Sequence, residues 1–568
     1  MAEPLIIRDW ENGIAESPHK GFGLMRNADI ESSAGALRTQ KKPVSIFTGT
    51  YSSVFTADAS TNILTAVTSG VPVDKTCVRL TTTGTLPAPL TTGTNRFITK
   101  LSSTTFKLST TIAEVTSGTT IDITDAGSGQ HTVTTLNPSI VNHIVKDKRN
   151  DVEYLLDSDG VVWHRDSGGT FVLSGNLTGS GNGAEGNGLA IFNFSSTTTT
   201  YLFAFRNAQV DVVNVFGIPN VENPSWNNDW FGLNSGAGSG RSHHAIIGQD
   251  NIIYFADDRY VGSIKENSGT TFDPTSGATY TQNNQALDLP PLERAEWLDE
   301  LGINLMIAGV AYSKIYPWDR TSSSFNLPLQ VPESAFDPTG TNKMRIKNIG
   351  NILYICAGKR GNIYTSQGTY VKPFVSLSEQ VVNTTPTISE SAVTWGGIAS
   401  RNGALLIGVG ATTTANSGAY LIYPDGRYVI DTIPSTGGKN ATALYADSDF
   451  YLMGYSGGAD YFDGTRYSSF ETVVQSPLYS VATKVEKAGW GEIEAQFARP
   501  ASTGTARIRY RTDTSSAFSD FPSGTVTFTA DGTNTSFSQD IGLIDIENIQ
   551  IQVEMDGTFE LKEVRLLP

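Results

Sequence analysis

The chain has 568 residues, with 56 acidic and 40 basic side chains, a formal net charge of −16 and only 17% charged residues. That length exceeds one ordinary core unless a repeat absorbs it, and the charge excludes a surface that grips nucleic acid throughout, because phosphate binding rests on clustered Lys and Arg. Two cysteines far apart, Cys77 and Cys356, exclude a disulfide framework and a multi-cysteine metal site, while abundant Gly, Ser and Thr favour short strands and turns over long charged helices.

The N-terminal stretch MAEPLIIRDWENG carries acids and lacks the charged-then-apolar pattern of a signal segment. No run approaches the roughly 18 apolar residues that would span a bilayer, so the expectation is a protein without a membrane anchor. Residues 1–47 read as an N-terminal segment joining the body that follows. Residues 48–136 are Thr/Ser/Gly-rich and alternate apolar with polar positions, as in TGTLPAPLTTGTNRFITKLSSTTFKLSTT and GTTIDITDAGSGQHTV. Regular apolar positions at Phe97, Ile98, Phe106, Leu108, Ile121 and Ile123 point to a small inserted β-domain rather than a disordered linker.

From 137 to 475 one hairpin recurs. The stretch GNILYICAGKRGNIYTSQG at 350–368 is two short apolar runs separated by a Gly/Lys/Arg break. The same shape stands at Tyr154, Leu202, Tyr254, Met306, Tyr354, Leu406 and Leu452, at intervals of 48, 52, 52, 48, 52 and 46 residues. A period near 50 is the scale of a four-stranded propeller blade. The next position is always large (Leu155, Phe203, Phe255, Ile307, Ile355, Ile407, Met453), and the one after is small in all but the first (Leu156, Ala204, Ala256, Ala308, Cys356, Gly408, Gly454). Blades crowd toward an axis, so a column of small residues is what a tapering interior requires, and Cys356 reads as packing rather than as a reactive thiol. LERAEWLDELG at 292–302 has helix formers, but the repeat assigns it to a first strand and turn. The fourth strand of the last unit is sought in YSSFETV at 467–473. The fold class expected is all-β: a seven-bladed β-propeller with an inserted small β-domain near the N-terminus and, over 476–568, a C-terminal β-sandwich built from runs such as EIEAQFA, TARIRYRT and IQIQVEM.

No stretch specifies a reaction. DSDGVVWHRD at 157–166 resembles the Asp-box of sialidases but lacks its full spacing and has no second copy, so Asp157 and Asp159 read as hairpin-turn residues. His243 and His244 are adjacent and would point to opposite faces of a strand, unable to chelate one metal together. Asp257 and Asp258 lack a twelve-residue calcium loop. Arg507, Arg509 and Arg511 alternate along one strand and read as a solvated face. No catalytic, cofactor-binding or metal residue is expected, and no enzyme.

The segment GIAESPHKGFGLMRNADIESSAGALRTQKKP at 13–43 resembles the N-terminal segment of tail structural proteins of double-stranded DNA bacteriophages, and the insert is similar to a small β-module common in such proteins. The plan as a whole resembles the tail nozzle (tail tubular B) and tail hub β-propeller family. The resemblance implies a virion protein assembled in the host cytoplasm, partnering with itself as a ring (a hexamer for a nozzle, a trimer for a hub), with other tail or portal-adaptor proteins and tail fibres, and with viral DNA in passage. A glycan-binding tail fibre or adhesin, and a propeller glycosidase, are the alternative readings.

Overall fold

The computed structural model describes residues 4–8, 10, 14, 24–30, 36–47, 51–165, 171–177, 186–194, 200–206, 208–215, 226–234, 243–332, 343–377, 393–411, 414–447, 451–466, 472–481, 488–514 and 516–568. Of the segment at 13–43, only Ile14, 24–30 and 36–43 fall among them, and Asp166 and residues 467–471 lie outside.

Seven units of four antiparallel strands follow one another along the chain, six as separate sheets and one, the sixth, as the start of a ten-stranded sheet. Their second strands are Val152–Asp157, Tyr201–Arg206, Ile253–Asp257, Asn304–Gly309, Ile352–Ala357, Ala404–Ala411 and Tyr451–Tyr455. Each anchor residue lies in one of these, and the large and small columns that follow it are buried throughout. Local turn chemistry sets the hairpins: Asn402 and Gly403 both have positive φ between the paired Arg401 and Ala404, the two-residue turn whose twist matches that of the strands. Ala295–Leu301 is a strand, against its local helix propensity, because it pairs with Asn304–Gly309 and lies in a buried first-strand position.

The first strands of successive units touch in order, and that of the seventh, Ala443–Ala446, returns to that of the first, Val141–Asp147. The ring is therefore closed, and the four-stranded sheets fit the blades of a β-propeller. At the meeting of the sixth and seventh units the backbones approach so closely that a Cβ on Gly408 would lie 1.8 Å from the Ala441 carbonyl oxygen. Only glycine fits there.

The fourth strand of the seventh unit is not the sought stretch after 466. It is Lys41–Ser45, paired antiparallel with Gly458–Arg466. The sequence period cannot see a partner more than 400 residues away, which is why the reading looked downstream instead. Thr472–Gln475 belongs elsewhere, pairing with Asn548–Met555.

Upstream of Lys41, the N-terminal strands enter the C-terminal body. Leu5–Ile7 and Leu37–Thr39 pair with Glu560–Leu567, and Ala28–Asp29 with Leu37–Thr39. Leu24–Arg26 runs parallel to the outer strand of the sixth unit, Tyr428–Thr432, on one side and antiparallel to Thr472–Gln475 on the other, making one continuous ten-stranded sheet. Segment 1–47 thus contributes to two bodies, where the sequence reading joined it to one. Asp431, almost fully buried, anchors this joint. It accepts two hydrogen bonds from the Arg401 guanidinium (3.0 and 2.8 Å) and one from the Gln40 amide (2.7 Å), a charge-assisted fork that fixes geometry as well as adding energy.

Residues 52–135 form a closed barrel of six strands, in the order Thr105–Ser109, Ile63–Ala66, Ser52–Asp58, His131–Thr135, Cys77–Thr82, Arg96–Lys100. Ile98, Phe106, Leu108 and Ile123 fill its own core, while Cys77, Phe97, Ile112 and Val115 face outward and pack with Phe47, Trp163 and Phe171 of the ring.

Two expected outcomes follow from this packing. Ala308→Phe places a ring opposite Trp297 in a closed interior and should lower stability by about 1–3 kcal/mol, read from the urea midpoint; an unchanged midpoint would break the alignment of the units. Excising 48–136 should leave a remainder that still unfolds cooperatively in calorimetry but at lower temperature, because the seam at Phe47, Trp163 and Phe171 loses its cover, each large side chain accounting for about 2 kcal/mol. Loss of a cooperative transition would instead make the barrel part of the ring's core.

Candidate functional site

Reading across from the small column to the first strands gives the lining of the ring's axis. Leu156 stands opposite His143, Ala204 opposite Leu189, Ala308 opposite Trp297, Cys356 opposite Arg345 and Gly454 opposite Ala443. Ala256 donates its N–H to the His244 carbonyl (3.0 Å). Small residues on the second strands leave the room that these larger first-strand side chains fill.

These side chains also stitch neighbouring units. Leu189 N–H donates to His143 Nδ1 (2.7 Å), and Leu298 N–H to His244 Nδ1 (3.2 Å). Asn348 N–H donates to Asp299 Oδ2 (2.6 Å), Arg345 Nε–H to the Gly396 carbonyl (3.0 Å), and Gly397 N–H to the Ala441 carbonyl (3.0 Å). The Thr442 hydroxyl joins the seventh unit to the first by donating to the Val141 carbonyl (2.6 Å). Each bond crosses from one unit to the next, so buried backbone groups are satisfied where the ladder of a single sheet cannot reach.

Inside the ring, His244 stacks on Trp297 with centroids 3.7 Å apart and 20° between planes. Arg345 lies 4.4 Å from the same ring and is held by Glu296 at 2.5 Å. Both groups therefore lie against the same indole. His143 and His244 have centroids 5.4 Å apart. Because the Nδ1 of each accepts a backbone N–H, each neutral ring carries its proton on Nε2. Burial, reinforced by the Arg345 charge, holds the His143 imidazole down at about 4; burial, then His143, Arg345 and Lys347, holds His244 well below its ordinary range. Beside them is a cavity of about 250 Å³, lined by first-strand residues of six of the seven units.

The residues singled out from the sequence fall elsewhere, with one exception. His243 and His244 do diverge: His243 Nδ1–H donates to the Ala256 carbonyl (2.8 Å), and His244 alone faces the axis. Asp157 is a turn cap, accepting N–H groups from Ser139, Asp159 and Val161 at 3.3, 3.0 and 2.8 Å, with burial holding its carboxyl up at about 6, while Asp159 is exposed. Asp257 accepts the backbone and side-chain N–H of Asn234, both at 2.7 Å, and Asp258 is a turn residue with φ 57°. Arg507 and Arg509 pair with Asp520 (2.9 Å) and Glu554 (3.1 Å), and Arg511 donates to Gln550 (2.7 Å). Both cysteines are buried, with the Cys77 thiol pushed up to about 12 and that of Cys356 further. Among the described residues no group of three or more His, Cys, Asp or Glu side chains could hold a metal ion. Sequence reasoning passed over His143, Trp297 and Arg345. Their signal was present, one strand before the small column, in VNHIV, AEWLD and MRIKN.

No protein-family model matches the chain, and no curated protein matches it. Solved structures to which it is similar include Raptor of Chaetomium thermophilum (9% identity, TM-score 0.40, covering 58% of this chain and 28% of Raptor). Others are the RRP9 WD40 repeats (11%, 0.39, 57% and 94%) and the Cps50 (Swd1) beta-propeller domain of Myceliophteria thermophila (11%, 0.39, 58% and 98%).

A folded pKa below the unfolded value means that His143 contributes stability fully above pH 6.5, lost as the pH falls through about 4. Asp157 acts in the opposite sense over its own range. His143→Asn, which keeps a side-chain acceptor, should therefore lose less stability than the native chain between pH 6.5 and 4, measured by denaturant unfolding at each pH; parallel curves would remove His143 from the acid limb.

Proposed function

We propose that the chain is a seven-bladed β-propeller carrying an inserted β-barrel and a C-terminal β-sandwich, and that it serves as a structural component of a double-stranded DNA bacteriophage tail. In this reading it forms a ring of identical subunits at the nozzle or distal end of the tail, through which DNA is retained and ejected. The observation that carries the reading is the N-terminal segment: the stretch at 13–43 that resembles tail structural proteins supplies Leu24–Arg26 and Leu37–Thr39 and begins Lys41–Ser45, the strands that tie the sandwich to the propeller. A body so cross-tied offers broad rigid surfaces, and closed symmetric rings are how identical subunits surround a passage. Duplex DNA does not fit an axial cavity of about 250 Å³. The passage therefore lies between subunits rather than through one propeller, and an acidic chain lets DNA slide without adhering.

A virion reconstruction tests this directly. Density should place the chain on the tail axis, sixfold for a nozzle and threefold for a hub. Particles made without it should lack a completed tail end and fail to retain or deliver DNA, and the purified chain should hydrolyse no glycans. An isolated spike off the axis, or saccharide turnover abolished by one carboxylate substitution, would overturn the proposal.

A further inference from the structure

The axial cavity has a chemistry opposite to that of the chain as a whole. The protein carries 16 more acidic than basic side chains, yet among the described residues the cavity lining contains no carboxylate. Its polar groups are Asn142, His143, His244, Lys347, Ser400 and Tyr445. The two imidazoles have their Nδ1 atoms committed to the N–H groups of Leu189 and Leu298, so what each has left to offer is an Nε2–H donor. Lys347 brings a full positive charge. Its partner Asp299 lies 3.3 Å away, outside the lining, and that carboxylate also accepts the N–H groups of Asn348 and Glu300. Two of the three ammonium protons remain beyond that pairing. Arg345, behind Trp297, adds a second positive charge whose nearest carboxylate, Glu296, likewise lies outside the lining. Burial is the main cause of the depressed imidazole basicity of His143 and His244, and the Arg345 charge adds to it in both.

We propose that this cavity binds a small oxyanion, a phosphate or a compact carboxylate, through Lys347, the Nε2–H groups of His143 and His244, and the Ser400 hydroxyl. Donors that line a partly enclosed, low-dielectric space bind an acceptor-rich anion more strongly than they bind water. The space, about 250 Å³ against about 30 Å³ for a water in the liquid, accommodates such an anion with part of its hydration shell and nothing macromolecular. The inference does not rest on the tail reading, and its failure would leave that reading untouched.

The test uses the purified full-length chain. Its unfolding temperature is measured in phosphate, in succinate and in chloride at matched ionic strength, and the heats of titration with phosphate and with succinate give the affinities. Expected is a higher unfolding temperature in phosphate or succinate than in chloride, with saturable one-to-one binding; which of the two acts identifies the source of the oxyanion. Lys347→Met should weaken that binding at least tenfold and Ser400→Ala severalfold, while Lys372→Met, at an exposed cation on the outer strand Val371–Ser376, should leave it unchanged. Ser400→Ala decides the matter should Lys347→Met fail to fold. Equal unfolding temperatures in all three salts, or an affinity unchanged in either folded cavity variant, would overturn the proposal.

Discussion

The pairing of Lys41–Ser45 with Gly458–Arg466 completes the last unit of the ring. Without it the seventh unit has three strands and an open edge, a ready template for unwanted pairing with other chains. With it, the ring is closed by residues from opposite ends of a long chain. A contact of that sequence separation is made against the entropy of closing a very long loop. Upstream of Lys41 the same segment pairs with C-terminal strands, so one stretch of backbone both closes the ring and joins it to the C-terminal body.

The inner face of the ring shows how a repeat architecture handles polar groups at its centre. First strands converge there, and sheets related by rotation cannot pair edge to edge along their length. Side chains supply the missing bonds: His143, His244, Asp299, Arg345 and Thr442 each satisfy a backbone group of the adjacent unit. These residues are therefore structural first. The polar cavity is what remains where they stop. Its positive character arises because the carboxylates that balance Lys347 and Arg345 lie outside the lining.

The parts of the molecule are joined by shared sheets and shared cores. The sixth unit continues without a break into strands of the C-terminal body, and Asp431 binds Arg401 of its own unit together with Gln40 of the N-terminal segment. The barrel, though closed on itself, lends Phe97, Ile112 and Val115 to the core around Trp163. Relative domain motion is the default where interfaces are small and polar; here one interface is a β-sheet and another an apolar seam.

The sequence by itself determined the unit and its register. Hairpins at Tyr154 through Leu452 recur at near-constant spacing, and the alternating large and small columns lie where a tapering interior needs them, because period-2 alternation and crowding act on neighbours along the chain and leave a direct trace in residue type. It also marked the insert as ordered through Ile98, Phe106 and Leu108, which fill the barrel's core. Only the tertiary structure decided which strand closes the ring, which body receives Leu5–Ile7 and Leu37–Thr39, and which side chains meet at the axis. Lys41–Ser45 has no local feature that names a partner beyond residue 450. His143, His244, Trp297 and Arg345, ordinary as single residues in four different units, become a site only because the closure of the ring brings four first strands to one axis.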